Sequence, residues 1–224
     1  MIAQQGMPRQ ADGFVIAAAV ACLAACVGDF AVTFLLGLRY PRYDPLRHVM
    51  SRLGAADSPV AFWMNAWWIV YGLLMVLFAA GLSRAFPPGR AAVYILVGQI
   101  VALGLFAGIG AGLFPMDSPG AAATRTGRLH NAVGGVGFLA ISVAPLVSLW
   151  VFPRAEFAWL HWLAWAAQAG GIVTFVLFVV SNGAPGRGVL ACAGLWQRLF
   201  LLAYYVHLSA IAFVMLRGAS PRPS

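Results

Sequence analysis

Residues 14–38 read FVIAAAVACLAACVGDFAVTFLLGL. A single charged side chain, Asp29, interrupts the run. As a helix rising about 1.5 Å per residue, the stretch is long enough to cross a ~30 Å hydrocarbon core. Working outward, comparable apolar runs fall near 60–82, 91–113, 131–152, 158–180 and 196–216. The expected architecture is therefore an all-α integral membrane bundle of six transmembrane helices, with residues 1–224 forming a single transmembrane domain. Composition agrees: 62% of residues are hydrophobic, only 9% are charged, and the mean hydropathy is +0.86. Water alone cannot solvate such a surface.

The boundaries carry membrane punctuation. Arg39 ends the first run, Ser83 and Arg84 the second, Pro115 and Asp117 the third, and Pro153 and Arg154 the fourth, while Arg217 follows the sixth. Trp63, Trp67 and Trp68 open the second run and Trp159, Trp162 and Trp165 the fifth, as an interfacial aromatic belt does. Leu23-Ala24-Ala25-Cys26 has the form of a lipoprotein cleavage box. The apolar run continues past it through Phe34, Leu35 and Leu36, so the reading here is an uncleaved span.

An even number of spans places both termini on one side. That side holds Arg9, Arg84, Arg90, Arg154, Arg217 and Arg222, and the other Arg39, Arg42, Arg47, Arg52, Arg125, Arg128, Arg187 and Arg198. Arginine count thus leans against cytoplasmic termini. Cytoplasmic termini are still the expectation, because four opposing arginines share one connection that reads as structured. The location expected is a bacterial inner (cytoplasmic) membrane, multi-pass. The net charge of +8 is scattered over loops between apolar runs, so lipid headgroups are its counterions and nucleic acid is not a partner. Membrane lipids are the expected partners, with a homo-oligomer or a membrane partner also compatible.

Polar side chains gather on the side opposite the termini. Asp44 can cap and Pro45 can open a helix, and Leu46, Val49, Met50 and Leu53 recur at helical spacing. A short amphipathic interfacial helix is expected near 45–53, with His48, Ser51 and Arg52 along one polar edge. The connection 114–130 brings Asp117, Arg128 and His130, and the start of the last run brings Gln197 and Arg198. Two groups lie deep: Asp29 ~13 Å and His207 ~16 Å from the same side by helical rise. A lone carboxylate at that depth needs a partner, so an Asp29–His207 pair is expected if the first and last spans are neighbours.

Several chemistries use these residue types. Ser51 as nucleophile, His130 as base and Asp117 as its orienting group would suit hydrolysis, with the bland alternative that Ser51 bonds a backbone carbonyl. His48, Arg52, Arg128, Gln197 and Arg198 could hold a lipid headgroup, or merely anchor the chain at the interface. His48, His130 and His207 with Asp29 or Asp117 supply metal-ligand types, but HxxxH, HExxH and CxxC spacings are lacking, so no metal is expected. Cys22, Cys26 and Asp29 share one helix face, where cysteines are more often small packing residues than a redox site. Cys192 completes a set with no disulfide framework. The sequence names no cofactor.

Tyr43-Asp44-Pro45 leading to Ser51-Arg52-Leu53-Gly54, then Gly110-Ala111-Gly112-Leu113-Phe114-Pro115-Met116-Asp117, Leu129-His130 and Gly194-Leu195-Trp196-Gln197-Arg198-Leu199 resemble a prokaryotic six-span family, domain of unknown function number 998. The pattern more usually has an acidic residue where Arg52 stands. The resemblance covers nearly the whole chain and implies fold and membrane context, with a distant likeness to the FRAG/DRAM/Sfk membrane proteins. It marks Ser51, Gly54, Pro115, Asp117, His130, Gln197 and Arg198 as the matching positions. Three functions remain open. The first is a polar pocket that binds, and in an extended form modifies, a lipid or isoprenoid headgroup. The second is a non-enzymatic membrane-organising or complex-subunit protein, and the third a small-solute or proton carrier.

Overall fold

The computed structural model describes residues 12–86, 89–183 and 186–218. Arg9 and Arg222, counted above for orientation, lie outside these residues. Six helices are long and apolar enough to cross a membrane: Gly13–Gly37, Ala61–Ala85, Ala91–Leu113, Arg125–Val151, Arg154–Gly183 and Ala193–Arg217. No strand occurs among the described residues. The first helix runs unbroken through Cys26. The chain is thus a multi-pass membrane protein, and its surface explains why one-sided amphipathicity is weak. Trp159, Trp162, Val173 and Val176 on the fifth span all stand exposed. Such a surface is stable only against lipid tails.

The sixth span is the most buried and the fifth the least. The sixth packs against the fifth and the first, and the first packs along the second. The second and third spans approach backbone to backbone. A Cβ added at Gly108 would sit 2.6 Å from the Cα of Gly72, so only glycine allows this contact. Within the contact, Leu103–Gly110 widens into a π-helix. Leu103 and Ala107 from this stretch, with Ala111 just after it, line an interior cavity.

Helix limits differ from the sequence expectation. The fourth span begins at Arg125 rather than 131 and the sixth at Ala193 rather than 196, while the fifth, Arg154–Gly183, kinks at a non-helical Phe157 (φ −126°, ψ 39°) and runs on from 158 as expected. The fourth and sixth helices extend beyond their apolar runs because their first turns find caps. At the fourth, the Thr124 side chain accepts from the Gly127 amide at 3.0 Å. The fourth span also breaks at Val143, just before Pro145. The Ser142 carbonyl at this break accepts from Gln168 Nε2 (3.0 Å) and the Tyr204 hydroxyl (3.1 Å). Side chains of the fifth and sixth spans thereby satisfy backbone that water cannot reach.

Candidate functional site

The first connection does not form the expected amphipathic helix over 45–53. Asp44 does cap, its Oδ1 accepting from the Leu46 amide (2.9 Å) and its carbonyl from the His48 amide (2.7 Å). The chain then turns only once. Val49 is extended (φ −60°, ψ 154°), and a 3-10 helix follows over Met50–Gly54. The reason lies at the other end of the sequence. The carbonyls of Leu46 and Arg47 accept from the amides of Leu195 and Gly194, capping the sixth span. A Cβ on Gly194 would run into the carbonyl oxygens of Pro45 and His48. The path of this segment is thus set by the helix it caps, with Val49 extended where a helix of its own would continue.

Gln197 and Arg198 belong to the same latch. Gln197 Oε1 accepts from the Met50 amide at 2.6 Å. Arg198 donates to the carbonyls of Pro45 (2.6 Å), His48 (3.2 Å) and Gly194 (2.9 Å) and to the Tyr43 hydroxyl (2.7 Å). A guanidinium so engaged is a structural clamp, not a free claw for phosphate. His48 Nδ1 accepts from the Asp44 amide at 2.9 Å. Arg52 forms a paired contact with Asp57 (2.5 and 2.7 Å) and lies over the Tyr40 ring. That guanidinium holds the Asp57 carboxyl well below the usual carboxylate range.

In the second connection Asp117 does not orient His130. Its two oxygens accept from the hydroxyl (2.6 Å) and amide (3.0 Å) of Thr124. These bonds hold its carboxyl below the ordinary value. A carboxylate at a helix start also favours the helix dipole. Arg128 donates to the Ala123 carbonyl at 3.1 Å. His130 lies buried with Nδ1 2.8 Å from the Phe114 carbonyl. A carbonyl only accepts, so Nδ1 carries the proton and Nε2 of the neutral ring is left as an acceptor.

Behind these connections lies a partly open cavity of about 270 Å³. Ser51, His130, Asn131, Asn182 and Gln197 line it on the connection side, and Asp29, Tyr71 and Tyr205 line its inner part. Phe138, Phe175, Phe178 and Trp68 form aromatic walls. Gly134 and Gly135 also face it, and a Cβ on either would meet open space. Ser51 and His130 therefore share one cavity, yet no hydrogen bond joins them among the described residues. Asp117, Arg52, Arg128, Arg198 and His48 are not part of the lining.

The Asp29–His207 pair does not form. Asp29 Oδ1 accepts from Trp67 Nε1 (3.2 Å) and Oδ2 from the Tyr205 hydroxyl (2.9 Å). His207 Nε2 meets Ser148 Oγ at 3.0 Å. The Ser148 hydroxyl donates to the Pro145 carbonyl at 2.7 Å, so the imidazole supplies the proton of the His207–Ser148 bond. The first and sixth spans are neighbours, as the pairing required. Tyr205 and His207, however, are two residues apart and so point to nearly opposite sides of their helix. Trp67 and Trp68 likewise turn inward, leaving Trp63, 64% exposed, as the lipid-facing member of that trio. The signal that could have found Tyr205 and Tyr71 is phenol chemistry at the depth of a buried carboxylate.

Among the described residues no three His, Cys, Asp or Glu side chains converge as a metal ion would require. Cys22 and Cys26 are buried free thiols. The family model described as protein of unknown function (DUF998) matches residues 16–214. No curated protein and no solved structure matches the chain.

Proposed function

The chain belongs to this family of unknown function, no activity comes with that membership, and we propose from the geometry that its cavity receives a single amphiphile, a lipid or isoprenoid. The observation that carries this reading is the make-up of the wall between the fourth and fifth spans. Asn131, Gly134, Gly135 and Phe138 face Phe175, Phe178, Val179 and Asn182 across the cavity. Over Arg125–Ser142 the fourth span makes few direct contacts with the fifth, the Phe138 and Phe178 rings meeting at 6.2 Å, whereas beyond the break at Val143 the two spans pack together. Polar side chains at both ends and aromatic rings along the wall match an amphiphile with one polar head and an apolar tail. Entry would be sideways, from the bilayer. The anionic-headgroup clamp expected of Arg52, Arg128 and Arg198 drops out of the proposal, because these guanidinium groups already serve the protein's own carboxylate, carbonyls and hydroxyl. A proton relay from Asp29 to His207 loses its support for the same kind of reason.

The test is native mass spectrometry with lipidomics on protein purified in a mild maltoside, wild type beside Gly135→Leu. The added side chain has open space to enter, so the fold is retained and the cavity is filled. One amphiphile per wild-type chain, reduced several-fold in the variant, is the expected result. Bulk lipid, equal in both, would sink the proposal and move the weight to a non-enzymatic organising role. Modification of the bound species is supported only by Ser51 and His130 sharing the cavity. It would require that wild type alters the amphiphile and that His130→Ala does not.

A further inference from the structure

The inner end of the cavity holds an acid with no basic partner. Asp29 is only 3% exposed and lines the cavity, and each of its oxygens accepts one neutral donor, Trp67 or Tyr205. A carboxylate has about four lone-pair sites, so roughly half of its accepting capacity is unused. Beside it, the Tyr71 hydroxyl is buried, 2% exposed, and makes no hydrogen bond of ordinary length, although the Tyr205 hydroxyl, which already donates to Asp29, lies close enough to interact with it. Tyr71 lies in the same cavity wall, its ring 6.0 Å from that of Tyr205. A buried hydroxyl without a full partner is costly unless something else completes it. Among the described residues no arginine lines the cavity. Arg198 acts on Asp29 only from outside the lining and is held by its own carbonyls, and His130 of the lining bonds Phe114, so among the described residues no cationic side chain touches the carboxylate.

We propose that Asp29, with the Tyr71 hydroxyl and the rings of Trp68, Tyr71 and Tyr205, is a binding site for the ammonium group of a cationic amphiphile. Carboxylate and aromatic faces together are what an amine or quaternary ammonium favours, since the ring quadrupole adds to the charge attraction once water is excluded. This rests on the amphiphile reading above and names its headgroup class. The charge of the rim favours a tailed cation over a soluble one. Beyond the ion pairs Arg47–Asp44 and Arg52–Asp57, the connection side carries Arg39, Arg42, Arg125 and Arg187, which repel a cation arriving from water. A tailed ammonium entering between the fourth and fifth spans avoids that barrier.

The experiment is a set of titrations of the purified chain in neutral maltoside micelles, followed by tryptophan fluorescence. Three probes share one tail: dodecyltrimethylammonium, dodecanol and dodecyl phosphate. Wild type is compared with Asp29→Asn, so that partition into detergent cancels. The expected result is saturable binding of the ammonium at least tenfold tighter than of the other two, with this preference lost in the variant. If the alcohol or the phosphate binds wild type as well as the ammonium, the cation assignment is overturned while an amphiphile cavity stands. The same holds if Asp29→Asn keeps the preference. If no probe binds saturably, both the assignment and the amphiphile reading fall. The ranking of probes on wild type decides the matter even if the variant does not fold.

Discussion

Tyr71 and Gln197 show how much one side chain's partners decide in this molecule. Both are buried and both line the cavity. Gln197 completes the Met50 amide at 2.6 Å, whereas the Tyr71 hydroxyl makes no hydrogen bond of ordinary length. Removing a satisfied group leaves its partner orphaned, while removing an orphan relieves a cost. Tyr71→Phe is therefore expected to leave thermal stability in detergent unchanged or raised by about 1 kcal/mol, and to weaken ammonium binding at the same time. A clear fall in stability would show that the hydroxyl serves the fold. At this scale the sequence was a poor guide to partners. It singled out Asp29 and His207 as deep polar residues, but their bonds go to Tyr205, Trp67 and Ser148. Asp117 was legible as a polar residue just past the end of the third span, but not its commitment to Thr124, seven positions on.

At the scale of elements, the connections are built as caps for neighbouring spans. Leu46 and Arg47 carbonyls cap the sixth span, and Asp117 with Thr124 caps the fourth. The family motifs around 43–54 and 194–199 thereby acquire a common physical cause, since they meet across a glycine contact and an arginine clamp. The sequence reading of 45–53 as an amphipathic helix followed apolar periodicity. Periodicity cannot register that the backbone carbonyls are taken by residues nearly 150 positions away. Two carboxylates of the connections also have a pH signature. The Asp57 and Asp117 carboxyls are held below their ordinary values, by Arg52 and Thr124 respectively. A depressed folded value means stabilisation that is complete above the unfolded carboxylate range, about pH 4, and lost as pH falls through the lower folded values. Thermal unfolding in detergent should therefore shift to lower temperature below about pH 4, and less so in Asp117→Asn. An identical acid slope in that variant would remove Asp117 from the account.

For the whole molecule, the arrangement of spans makes a wall on one side and a cleft on the other. The second and third spans meet through Gly72, Gly104 and Gly108, while the fourth and fifth leave Gly134 and Gly135 facing open space. Glycines on the two sides should therefore answer differently to the same substitution. Gly72→Leu forces side chain into the backbone of the third span, so stability and amphiphile retention are expected to fall together. Gly135→Leu should lower retention alone. Matched losses of stability in both variants, measured by thermal unfolding beside lipid content, would mean that the cleft is packed as tightly as the wall.

The number of spans, their approximate limits and the side on which polar residues gather were determined by the sequence alone. These depend on local quantities, the length of an apolar run against the thickness of a hydrocarbon core and the order of runs along the chain. Membership of the family was legible for a related reason, because its motifs are short and contiguous. Which polar groups face one another was decided only by the tertiary structure. Each span is apolar nearly all round, so its sequence does not state its rotation about its own axis. That rotation is set by packing, by the Gly72–Gly108 contact, the break at Pro145 and the latch onto Gly194. A rotation that presents Tyr205 to Asp29 turns His207 toward Ser148, and the cavity's chemistry follows from that choice.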